Sequence, residues 1–62
     1  MTETIQPTCE QIQEAREIFG PETVTLALMV VKMSDPDGAY TMLEDQGEDD
    51  AAEAVAFLYF PD

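Results

Sequence analysis

Four prolines and three glycines punctuate this chain of 62 residues, and their spacing limits it to short elements. Proline lacks the backbone N–H and its ring clashes with the preceding helical turn, so it starts helices or stops them. Pro7, Pro21, Pro36 and Pro61 are therefore read as borders. The stretch from Pro21 to Ser34 decides the fold class. Its centre, Val24 to Val31, is rich in β-branched residues and suits a buried strand. Length arbitrates, because about thirteen residues between two breaks fits a helix better than a strand of the usual 5–6 residues. Ala27, Leu28, Met29 and Met33 favour a helix as well. A central helix, apolar on most sides, is predicted.

The clearest helix runs from Thr8 to Gly20. Thr8 and Gln11 have the spacing of a capping box, in which each side chain satisfies the other's free N–H. Pro7 is placed to pack on Ile12 like a hydrophobic staple. Ile12, Ala15, Ile18 and Phe19 recur at helical spacing. Gly20 is expected to close the helix in a left-handed conformation, with Pro21 preventing its continuation. Ser34 or Asp35 then caps a third helix over residues 36–46, which Gly47 breaks. Asp49 and Asp50 suit the positive end of a fourth helix, ending before Pro61. The first seven residues are polar; they are expected to fray, with Ile5 tucked onto the core.

The predicted fold is a single all-α domain over residues 1–62, a compact bundle of about four short helices with loops of two to four residues. The alternative is α+β with a central hairpin, 23–33 pairing with 39–45. The expected core is Ile12, Ala15, Phe19, Val24, Ala27, Leu28, Val31, Leu43, Val55 and Leu58, with Met29, Met33 and Met42 as filler.

Charge is the second constraint. Fourteen acids face two bases, Arg16 and Lys32, for a formal net charge of −12. Acidic disordered tails share that balance, but 45% of these residues are hydrophobic, and they are grouped and periodic. Charge of this size destabilises a compact state by self-repulsion, whereas solubility asks for only about 2–8. A strongly basic partner is the simplest reason for the excess. Glu10, Glu14 and Glu17 fall on one helix face, each about 5–6 Å from the next. The stretch Glu44, Asp45, Glu48, Asp49, Asp50 and Glu53 puts six acids into ten residues.

Chemistry is thinly supplied. There is no histidine, and Cys9 is alone, so no intrachain disulfide or thiolate zinc site is available. Cys9 is expected to be a buried or half-buried apolar residue in a reducing cytosol. No glycine-rich phosphate loop exists, and although carboxylate pairs are abundant, acid–base chemistry needs a cleft and one raised pKa, for which a domain of 62 residues rarely has room; no enzyme and no cofactor are expected. Asp35, Asp37, Gly38 and Glu44 match four positions of a calcium-binding loop, but the first ligand position falls on Met33, which offers no oxygen. The start of the chain has neither a basic region nor an apolar run, so no signal peptide is read there. The longest apolar run, Leu26 to Val31, is too short for a bilayer. Direct nucleic-acid binding and membrane binding are not expected.

In size and charge the whole chain resembles the small phage-encoded inhibitors that mimic DNA, among them several anti-CRISPR proteins. No motif carries the likeness. It implies a protein of the host-cell cytoplasm that binds stoichiometrically to the basic DNA-contacting groove of a target such as a CRISPR effector complex. The partner-binding residues would be the nine acids above. The competing expectation is an adaptor or subunit acting through an apolar patch of Met29, Met33, Phe57, Tyr59 and Phe60, with a second copy of the chain as one candidate partner and the acids serving solubility.

Overall fold

A computed structural model describes residues 6–60. Four helices follow in order: α1 (Cys9–Phe19), α2 (Pro21–Met33), α3 (Pro36–Asp45) and α4 (Asp49–Tyr59). The all-α prediction is met, and the central-hairpin alternative is not: residues 23–33 and 39–45 are helical. Ile5 and Pro61, and the expectations for them, lie outside the described residues.

Local chemistry accounts for the helix ends. Thr8 Oγ1 accepts from the Gln11 N–H at 3.1 Å, and the Thr8 N–H donates to Gln11 Oε1 at 2.9 Å, so the capping box is closed in both directions. Gly20 alone joins α1 to α2, a shorter connection than expected. Its N–H donates to the Arg16 carbonyl (2.9 Å) and its carbonyl accepts from Val24 (3.1 Å), so one residue ends one helix and begins the next. Its φ of 98° and ψ of 145° are not the left-handed helical values anticipated but an extended region that is essentially glycine's own. Ser34 and Asp35 form the second turn. Asp35 is the cap of α3, its carboxylate accepting from the Gly38 N–H at 2.6 Å. Residues 36–45 are helix, so Asp35, Asp37 and Glu44 do not lie on a calcium-binding loop.

Gly47 has φ 82°. There the Glu48 N–H donates to the Leu43 carbonyl (2.8 Å) and the Gly47 N–H to that of Glu44 (3.1 Å), the paired bonds of a Schellman turn. That turn reverses the chain between α3 and α4.

Two helices are central: α2, as expected, and α4 each pack against the other three, while α1 and α3 do not touch. Of the two, α4 carries more of the core. Ala51, Ala52, Ala54, Val55 and Leu58 are buried along it, against only Val24 and Ala27 on α2. Ala15, Val24 and Leu58 knit α1, α2 and α4 together. Ala27, Ala39, Leu43, Val55 and the three α4 alanines join α2, α3 and α4.

The interior is built mainly from alanine, and this corrects the expected core. Ala15, Val24, Ala27, Leu43, Val55 and Leu58 are buried as expected, but Ile12, Phe19, Leu28 and Val31 are only half-buried. Short helices cannot enclose many large side chains, so methyl groups fill the middle and the branched residues lie around it. Ile18 falls off the edge of the stripe formed by Ile12, Ala15 and Phe19 and is exposed. The methionines are not filler: Met29 is 51% exposed, Met33 78% and Met42 43%. Met29 and Met33 lie on the side of α2 opposite Val24 and Ala27. Cys9, expected inside, is exposed on the first turn of α1, ahead of the first core-facing residue.

Candidate functional site

Glu3 and Asp62 lie outside the described residues; every one of the other 12 acids is exposed. Their distribution follows the helices. Glu10, Glu14 and Glu17 border one shallow depression on α1, with Cys9 and Gln13. On α4, Asp49, Glu53 and the half-buried Phe57 recur at steps of four on the side opposite the buried alanines, and Phe60 follows as the residue that caps the helix. Asp50 flanks that side. Glu44 and Asp45 end α3, and Glu48 stands at the head of α4 without a side-chain capping bond.

The two acidic groups meet at α4. Glu14 from α1 and Glu53 from α4 line the same open groove, together with Gln11, Phe19, Ala56, Phe57 and Phe60. Phe19 and Phe57 meet edge to face with ring centroids 6.0 Å apart. Phe60 makes the same kind of contact with Tyr40 of α3, at 6.2 Å. Tyr40 stands among carboxylates: the charge of Glu44 is the main cause that raises its phenol pKa above 10.0, followed by partial burial and by Glu53 and Asp49. The phenol thus reports a negative field shared by α3 and α4. Glu53 links the two sets: it shares the groove with Glu14 of α1 and acts on Tyr40 together with Glu44 and Asp49. The outer face of α2 is different: its groove, lined by Pro21, Thr25, Leu26 and Met29, includes one acid, Glu22.

Two of these placements oppose stability. Glu44 and Asp45 sit in the last turn of α3, at the negative end of the helix dipole, with no base in that turn. Each such carboxylate costs about 0.3–1 kcal/mol at low salt. Asp49 and Asp50, in the first turn of α4, are placed favourably. The fold therefore explains Asp49 and Asp50 but not Glu44 and Asp45.

Of the nine acids singled out in the sequence, the structure gathers Glu14, Glu44, Asp49 and Glu53 around the groove and Tyr40. Glu10 and Glu17 extend that face along α1. Asp45, Glu48 and Asp50 are exposed around the α3–α4 turn, outside the groove lining. Sequence reasoning named Phe57 and Phe60 as contact candidates but missed Tyr40, and it placed Phe19 in the core rather than beside them in a groove. The proposed apolar patch is divided: Met29 belongs to the α2 groove and Phe57 and Phe60 to the α1–α4 groove, while Tyr59 lines a third with Leu28 and Val31.

Among the described residues no group of three or more His, Cys, Asp or Glu is arranged to hold a metal ion. No described helix is long and apolar enough to cross a membrane. Comparison with known proteins finds no family model, curated protein or solved structure that matches the chain.

Proposed function

We propose that the chain is a stoichiometric inhibitor that mimics the charge of DNA and occupies the basic nucleic-acid-binding groove of a target such as a CRISPR effector complex. The observation that carries this reading is the exposure of all 12 described acids, nine of which lie on α1, α3 and α4, with Glu44 and Asp45 placed against the dipole of their own helix. Acids kept where they weaken the fold call for a use outside it. Duplex DNA presents about one negative charge per 1.7 Å of axis. Carboxylates at helical spacings of about 5–6 Å offer a comparable ladder to lysines and arginines. Such complementarity also speeds association by steering the approach.

The test begins with capture of a basic complex from bacterial lysate by the immobilised protein, followed by its purification and displacement of a labelled DNA duplex from it. Competitive displacement that weakens steeply between 50 and 200 mM salt is expected for a charge mimic. A complex that ignores salt and holds DNA at the same time as this protein refutes the proposal. Exposed Met29 and Met33, on the least acidic face, favour a second reading in which α2 is the contact surface of an adaptor. Lysine at both positions would abolish binding in that case and leave the acidic mode intact.

A further inference from the structure

We infer that the α1–α4 groove is a receptor for arginine side chains of the basic partner, held by ring stacking as well as by charge; this deepens the proposed function and rests on its partner being basic. Charge alone would be met at any of the exposed acids. The groove adds Phe19, Ala56, Phe57 and Phe60 to a lining that also holds Gln11 and two carboxylates from different helices, Glu14 and Glu53. A guanidinium is planar and weakly hydrated, and it stacks on aromatic faces while its edge donates to carboxylates. An ammonium is compact and strongly hydrated and profits less from such rings. Phe60 is 41% exposed, so ring surface remains open. The space, about 600 Å³, is on the scale of small-ligand pockets and admits one or two long side chains rather than a helix.

The charge pattern also selects against a second copy as the occupant. A second chain would bring the same carboxylates to the same groove, each chain carrying a net −12. A cationic segment neutralises the carboxylates while covering the rings.

The experiment uses the full chain, labelled with ¹⁵N and ¹³C, and two synthetic peptides of identical length and charge, one carrying only arginine as its base and one only lysine. Affinities and shift changes are read by titration at 150 mM salt. The arginine peptide is expected to bind about five-fold or more tightly than the lysine peptide, with the largest shifts at Phe19, Ala56, Phe57 and Phe60. Phe60→Ala should erase most of that preference, whereas Glu53→Gln should weaken both peptides. Circular dichroism of each variant confirms the fold, and a Phe60→Leu variant, which keeps apolar bulk without a ring, must also lose the preference. Equal binding of the two peptides, shifts spread over the exposed acids without the groove, or no binding of either would overturn the inference. The two proposals fail separately. If the protein displaces DNA from a basic target equally well with Phe60→Ala, the groove is irrelevant and mimicry stands. If the groove selects arginine but DNA is never displaced, mimicry falls and the arginine site remains.

Discussion

Salt should stabilise this fold strongly, and the size of the effect follows from its charge and dimensions. The folded chain has a net charge of −12 and a radius of gyration of 10.6 Å. A sphere of that radius of gyration is about 14 Å in radius; with the charge spread over it, the self-repulsion is about 15 kcal/mol at 10 mM salt and about 8 kcal/mol at 150 mM. The unfolded chain, with a radius of gyration of about 24 Å, stores about 5 and 2 kcal/mol under the same two conditions. The difference, about 4 kcal/mol, is the stability that screening should restore. For a domain of this length it corresponds to a rise in Tm of about 15–30 °C. Thermal melts followed by circular dichroism at pH 7 in 10 and 150 mM sodium chloride measure it directly. A control tests the cause: Glu14→Gln, Glu17→Gln and Glu53→Gln together change the net charge from −12 to −9 by removing three acids, all exposed. Because the energy scales with the square of the charge, the salt-dependent shift should fall to roughly half. A shift below about 5 °C in the parent, or an equal shift in the triple variant, would refute the claim that self-repulsion limits this fold.

Further predictions test the site and the scaffold. Both tyrosines should titrate above pH 10.0, Tyr40 mainly because of Glu44 and Tyr59 because of burial, so Glu44→Gln should bring Tyr40 down and move Tyr59 much less. A raised phenol pKa means the folded state retains the proton more strongly than the unfolded one. The associated stability is complete below pH 10 and is lost as the pH rises through the raised values, which absorbance at 295 nm and melts on either side will show. Gly20→Ala should cost about 1–3 kcal/mol in urea unfolding with an unchanged m-value. A methyl there meets nothing within 4 Å, so the whole loss would be backbone strain at φ 98°. Ala54→Leu should overpack the fully buried centre and cost about 1–3 kcal/mol, and Leu58→Ala should cost about 2–5 kcal/mol, enough to unfold a domain of this size at low salt.

Local rules made the helices legible in the sequence. The Thr8–Gln11 box, the prolines at 21 and 36, the Asp35 cap and Gly47 each act within a few residues, so their effects are the same in any fold. The acids were equally legible, because carboxylates stay in water unless something pairs them. What neighbours decide was not legible. Nothing in the residues between Pro21 and Met33 says that their methionines face solvent while the alanines of α4 take the centre. That outcome depends on how closely the other helices pack on α4, whose buried face holds three alanines beside Val55 and Leu58. The groove has the same origin. Phe19 and Phe57 stand far apart in the chain, and Glu14 and Glu53 farther still, and only the crossing of α1 with α4 sets rings and carboxylates side by side. Spacing along one helix specifies a face; which faces meet is settled by the packing of all four.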